Sequence, residues 1–334
     1  MRAMVLELPR PAEESPLRLK DLPAPEPPAG QLRVRVRCCG ICHTDLHTVE
    51  GDLPLPKQPV VPGHQIVGIV DAVGRGAQRF KEGDRVGIPW LHSTDGSCAY
   101  CRGGLENLCD HAQFTGYHVD GGYAEATVVG EDFAYPISSV FSDENAAPLL
   151  CAGIIGYRSF RLSGVNKDER LGLYGFGASA HLVLQFARYL GCEVSVFTRA
   201  AVHRELARKL GAVWVGAAEE DPPAKLDAAI IFAPAGALVP HALRALRKGG
   251  TLTLAGITMS ALPSMDYSLL YEERTIRSVA NSTRRDAREF LELAAAIPLA
   301  TEIEIFDLEQ ANQALLRLKK SEFKGAGVLR IVRA

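Results

Sequence analysis

Four potential metal ligands fall at short intervals in the chain: Asp95, Cys98, Cys101 and Cys109. The first three are three residues apart, and Cys109 follows eight residues later beyond a Gly-Gly pair. Thiolates and a carboxylate both ligate zinc, and four protein ligands make a closed, structural site. One carboxylate with three thiolates carries the same formal charge as four thiolates. Three cysteines in a loop also fit free thiols, but thiols this crowded point to a metal.

A second set is dispersed: Cys42, His64 and Cys151. Two thiolates and one imidazole leave a fourth position open, as a catalytic zinc requires. Cys39-x-x-Cys42 offers another pairing, although Cys39, at a predicted strand end, reads better as a small buried residue.

A third element is Gly175-Phe176-Gly177-Ala178-Ser179-Ala180. It stands between a predicted strand, Arg170–Tyr174, and a predicted helix, Ser179–Leu190. Gly175 permits a tight turn, Gly177 lets the backbone approach a pyrophosphate, and Ala180 allows close helix packing. The helix N-terminus presents free N–H groups to phosphate. A glycine pair alone also fits an ordinary turn; the strand before it and the helix after it favour a dinucleotide. The next strand ends Val196-Phe197-Thr198-Arg199, without the acid that normally takes the adenosine ribose hydroxyls. Thr198 and Arg199 are suited to a 2′-phosphate, a lean toward NADP; a solvated Arg199 with NAD bound is the alternative. Ala233, Gly256 and Ile257, further along, are expected to contact the cofactor as well.

Two domains must position these groups, because 334 residues exceed one ordinary domain. Gln31 to Arg37 alternates apolar residues with arginines, a half-buried strand, and Ile66–Val73 and Arg85–Ile88 are further strands. From about residue 170 strands and helices alternate, which implies a doubly wound parallel sheet. Late helices are predicted over Asp286–Ala296 and Leu308–Leu318. The boundaries expected are 1–149 with 282–334 for the metal-binding domain and 150–281 for the nucleotide-binding domain. With 47% hydrophobic and 23% charged residues and a net charge of −2, nothing marks a nucleic-acid or membrane surface. No secretory h-region is apparent, and eight cysteines suit metal ligation in a reducing cytoplasm.

These residues resemble the medium-chain, zinc-dependent alcohol dehydrogenases over nearly the whole chain. The resemblance rests on Gly40-Ile41-Cys42-His43-Thr44-Asp45, Pro62-Gly63-His64, Phe80-Lys81-Glu82-Gly83-Asp84-Arg85-Val86, the Asp95–Cys109 lobe, Cys151-Ala152-Gly153 and Tyr174-Gly175-Phe176-Gly177. It implies an α/β fold with a β-rich, GroES-like catalytic domain, to which the C-terminal segment returns, and a Rossmann domain, with the active site in the cleft. It implies two zinc ions per chain, the catalytic one held by Cys42, His64 and Cys151. Thr44 would take the alcohol proton and His47 would pass it on through the cofactor ribose. Asp45 would orient His64, and His43 would approach the pyrophosphate. The expected substrate is a small alcohol or aldehyde, and the expected assembly a homo-oligomer, dimer or tetramer. Three positions depart from the family pattern. Asp95 replaces a cysteine, Gln65 replaces the acidic residue after the zinc-binding histidine, and Leu53 stands where ethanol-specialised relatives carry tryptophan, although Trp90 matches the other pocket tryptophan.

Two further readings fit the same chain. One is a reductase of bulkier, aryl or cinnamyl-type aldehydes. The other is a zinc-stabilised NADPH-binding protein without alcohol dehydrogenase activity; retention of Cys42, His64, Cys151, Thr44 and His47 argues against it.

Overall fold

The computed structural model describes residues 1–297, 299–323 and 325–331. The chain divides into two compact units, Met1–Cys151 with Ser282–Leu291 and Thr301–Ala334, and Ala152–Asn281 with Glu292–Ala300.

The first unit is built on the strand Gln31–Ile41. Leu32, Val34 and Val36 are fully buried while Arg35 and Arg37 face out, so alternation of residue type becomes alternation of burial. From Cys38 onward every residue is buried, and the strand runs on to Ile41. Cys39 therefore lies inside the strand, not at its end; with both faces covered, the alternation that reveals a strand disappears. One edge pairs antiparallel with Ile66–Val73, with Cys39 opposite Ile66. The other edge is shared by Ala126–Gly130 and the C-terminal strand Ala326–Arg330. The register has a direct consequence: the residues just beyond Ile41 and just before Ile66, namely Cys42 and His64, emerge side by side.

The turn that delivers His64 has little slack. Gly63 adopts φ +100°, and a Cβ there would lie 2.4 Å from Tyr123 Cδ1 and 2.9 Å from Cys39 Sγ. Only glycine meets both demands without strain.

The second unit is a six-stranded, wholly parallel sheet. Its strands lie in the order Trp214–Gly216, Glu193–Phe197, Arg170–Tyr174, Leu226–Ile231, Leu246–Leu254, Thr275–Ser278. Strand order thus reverses direction beside Arg170–Tyr174, where open α/β sheets bind ligands. The first strand's Leu171 and Leu173, like Val194 and Val196 beside them, are fully buried, as parallel strands covered on both faces require. The helix after the glycine turn is Ala178–Tyr189, one residue earlier than its sequence pattern suggests. No described helix is long and apolar enough to cross a membrane.

Gly63→Ala should destabilise the first unit by about 1–3 kcal/mol through overpacking against Tyr123. Urea unfolding of parent and variant measures this; an unchanged midpoint would contradict the packing at this turn.

Candidate functional site

Cys42 is the N-cap of the helix His43–Glu50, so the helix opens on a metal-type ligand. The Thr44 amide donates to Cys42 Sγ (3.3 Å), and the Cys42 amide donates to Asp45 Oδ2 (2.9 Å), a reciprocal cap. Asp45 is 2% exposed. Its other oxygen, Oδ1, accepts from the Gly63 amide (3.2 Å) and stands 2.9 Å from His64 Nδ1. His64 Nε2 then points at Cys42 Sγ, 3.1 Å away. Cys151 completes a trio whose ligand atoms all lie within 4.8 Å of one another. The segment leading to Cys151 is fixed by Arg85, which donates to Asp143 Oδ1 (2.7 Å) and the Ser138 carbonyl (3.0 Å), and by the pairing of Arg330 with Glu144.

The electrostatics favour a cation here. Burial, then the hydrogen bond with Cys151, pushes the Cys42 thiol well above the ordinary thiol range. Burial opposes a charged His64, but the neighbouring Asp45 and Cys42 outweigh it and raise the imidazole to about 10. A divalent metal stabilises the thiolates that this environment otherwise disfavours. Gln65 is buried beside His64, its side chain against Gly40 on the neighbouring strand, and adds no charge.

Thr44 and His47, three residues apart, share a face of this helix. Thr44 is 9% exposed. His47 Nδ1 lies 2.7 Å from Asp52 Oδ2. Asp52 was not singled out in the sequence, because a carboxylate just past a helix end belongs to no spacing motif. His43 and His47 are one turn apart, with ring centroids separated by 6.4 Å, and burial, then the charge of His47, lowers the pKa of His43. Beside the trio, Trp90 meets the His64 ring edge-on at 4.8 Å and stacks on Phe114 at 5.1 Å.

The second ligand group is brought together as well: Asp95, Cys98, Cys101 and Cys109 offer atoms all within 4.8 Å of one another. Asp95 Oδ1 accepts from the Cys98 and Ser97 amides, each at 2.8 Å, which holds its carboxyl well below the usual range. The lobe is tied down by Glu106, whose Oε1 accepts from the Arg284 amide at 2.9 Å.

At the carboxyl ends of the parallel strands stand the residues expected to meet a nucleotide. Gly175 has φ +85° and packs beside Ala233, where a Cβ would lie 3.1 Å from Ala233 Cβ and N. Gly177 caps the helix with no side-chain cap, and the space its Cβ would occupy is empty. Ala180 is fully buried against the sheet, whereas Ala178 and Ser179 are half-exposed at the helix start. Phe176 is buried, so only its backbone faces the turn. Thr198 is buried, Arg199 exposed, Gly256 half-buried and Ile257 exposed. Arg204 turns back from the following helix, Ala201–Lys209, and donates through Nε to the Thr198 carbonyl (2.9 Å). Arg204 was not among the cofactor residues expected from the sequence, because its partner, the Thr198 carbonyl, is reached only once the helix is folded beside the strand end.

Residues 28–139 match the alcohol dehydrogenase GroES-like domain, and residues 180–296 match the zinc-binding dehydrogenase domain. The chain is 47% identical over 337 residues to a probable alcohol dehydrogenase, AdhA, of Mycobacterium tuberculosis, covering 99% of this chain and 97% of that protein. It belongs to the zinc-dependent medium-chain alcohol dehydrogenases. An alcohol dehydrogenase of Geobacillus stearothermophilus is 35% identical over 340 residues, covering 99% and 100% of the two chains. A cinnamyl alcohol dehydrogenase structure from Sorghum bicolor superposes with a TM-score of 0.90 at 27% identity, over 98% and 97% of the two chains. This dehydrogenase is thus an oxidoreductase of alcohols and aldehydes that employs zinc and a nicotinamide cofactor.

Asp45→Asn should weaken zinc binding about 10- to 100-fold, because a partner orienting a metal-ligating histidine is lost. Competition with a chromophoric chelator measures it, and unchanged affinity would show that Asp45 does not hold the trio.

Proposed function

We propose that Cys42, His64 and Cys151 hold a catalytic zinc ion, that Asp95, Cys98, Cys101 and Cys109 hold a second, structural one, and that the enzyme prefers NADP(H). The observation that carries this reading is the convergence of three donors at the start of the helix that also bears Thr44 and His47. Three protein ligands leave room for substrate, whereas four do not. When bound, zinc supplies Lewis acidity and the nicotinamide exchanges the hydride. The protein's own groups handle the proton. The Thr44 hydroxyl receives it from the alcohol, and His47, oriented by Asp52, delivers it to solvent. Asp45 fixes Cys42 and His64. Gln65 leaves the donor set without the added anion that an acidic residue would bring.

The glycine turn, its uncapped helix start and the empty space at Gly177 suit a pyrophosphate. Two arginines stand at the end of the second strand of the nucleotide unit, and the strand's own end, Val196-Phe197-Thr198-Arg199, carries no carboxylate to repel a 2′-phosphate. Trp90, stacked on Phe114 and tilted against Tyr117, forms an aromatic cluster beside His64, and Leu53 is smaller than the tryptophan of ethanol-specialised relatives. Both features favour aryl over short aliphatic alcohols and aldehydes. A homo-oligomer suits the edge strand Thr275–Ser278, which is mostly exposed and lies next to Tyr267 and Tyr271, 70% and 62% exposed. The eight cysteines, none in a disulfide, suit the reducing cytoplasm.

Cys42→Ser and Cys101→Ser should each leave about one zinc per chain, with opposite consequences. The first abolishes turnover while nucleotide titration by fluorescence still reports binding. The second lowers thermal stability while folded protein keeps turnover. Equal loss of turnover at unchanged stability in Cys101→Ser would overturn the division of roles.

For the cofactor, kcat/KM with NADP should exceed that with NAD. Arg199→Ala or Arg204→Ala should reduce the ratio about ten- to a hundredfold, the value of one charge-assisted hydrogen bond of ~1.5–3 kcal/mol. A parent that prefers NAD, or a ratio neither variant moves, would refute this preference.

A further inference from the structure

Asp52 holds His47 from an exposed position. Its carboxylate is 53% exposed and follows Gly51, the C-cap of the helix, at φ +82°. The Gly51 and Asp52 amides both donate to the His47 carbonyl (3.1 and 3.0 Å), which fixes the backbone at the helix end. Beyond it, Leu53 to Pro59 forms neither helix nor strand. A carboxylate on such a loop keeps one orientation only if the loop itself is held.

Leu55 packs against the core, and two polar contacts tie the loop to the turn containing Tyr117 and Asp120. The Tyr117 hydroxyl donates to the Pro54 carbonyl at 2.5 Å, two residues from Asp52. Lys57 pairs with Asp120. That ion pair is solvent-exposed and joins two mobile side chains, whereas the tyrosine hydrogen bond grips the backbone and lies nearer to Asp52. Tyr117 is itself braced. Its ring lies 5.7 Å from that of Trp90 and meets His118 edge-on at 4.8 Å, and its amide donates to the Phe114 carbonyl. Trp90 in turn abuts His64. A continuous set of rings therefore runs from the donor trio to the Pro54 carbonyl, and burial raises the phenol's pKa, which keeps it a donor at neutral pH.

We propose that Tyr117 is a positioning residue: through the Pro54 carbonyl it fixes the loop that bears Asp52 and thereby aims His47 as the proton exit. The inference rests on the role given to His47 above. It links the wall beside the metal ligands to the path by which the proton leaves.

The test compares the parent, Tyr117→Phe and His47→Gln as zinc-loaded enzymes. Phenylalanine keeps the ring and removes only the hydroxyl. Two readouts are taken: hydrogen exchange of the 51–57 amides without cofactor, and the single-turnover rate of benzyl alcohol oxidation at several HEPES concentrations. Tyr117→Phe should accelerate exchange across 51–57. It should slow the first turnover roughly three- to tenfold, with half-saturating alcohol changed less than about twofold, and added HEPES should recover the rate as an external base. Unchanged exchange and rate would overturn the proposal, as would a raised half-saturating concentration at unchanged rate, which would make Tyr117 merely a wall of the alcohol pocket. If His47→Gln slows turnover and Tyr117→Phe does not, only the latch is wrong. If His47→Gln leaves turnover unchanged, the proton-exit role fails and the latch falls with it.

Discussion

The buried carboxylate of Asp45 is the constraint on which the site depends. One oxygen accepts the amide of Cys42; the other takes the amide of Gly63 and faces His64 Nδ1. A single side chain therefore caps the helix, pins the turn that delivers the histidine and aims the imidazole at the thiol. A buried carboxylate with both oxygens engaged is costly to disturb, because removing one partner exposes the desolvation penalty of the charge. The surrounding sheet supplies the rest: the register of Cys39 against Ile66 sets Cys42 and His64 on adjoining chain ends before any side chain is considered.

Charge makes this pocket favourable to a cation. Two thiols, one imidazole and a carboxylate crowd together, and the thiol of Cys42 resists ionisation there. Metal binding reverses the balance, since coordination stabilises thiolate and neutral imidazole together. Gln65 keeps the local charge from becoming more negative still. At the outer lobe the same logic runs with Asp95, whose carboxylate is stabilised by two backbone amides before any metal is counted.

Much of this was legible in the sequence because the local patterns are strong. The close spacing of Asp95, Cys98, Cys101 and Cys109 groups four ligand-type residues that the fold brings together, and the Gly175–Ala180 turn announces its strand and helix. Cys42, His64 and Cys151 were weaker signals, dispersed and each ordinary alone, and resemblance to other chains added the weight that spacing could not. The residues that sequence reasoning passed over share one property: their partners come from folding, not spacing. Asp52 meets His47 across a helix end, Arg204 returns to Thr198 along a helix, and Tyr117 reaches Pro54 between two loops. Strand ends were also blurred where burial is complete, as at Cys38–Ile41, because a residue covered on both faces leaves no alternation to read.

The central claim is that this chain carries two preformed zinc sites of different composition. Zinc K-edge X-ray absorption on the purified enzyme, with metal content measured alongside, tests it most directly. The account predicts about two zinc ions per chain and an average shell of about 2.5 sulfurs near 2.3 Å, with nitrogen or oxygen near 2.0–2.1 Å and an imidazole signature. One zinc per chain with about three sulfurs and no imidazole scattering would contradict it, leaving only the outer lobe as a metal site.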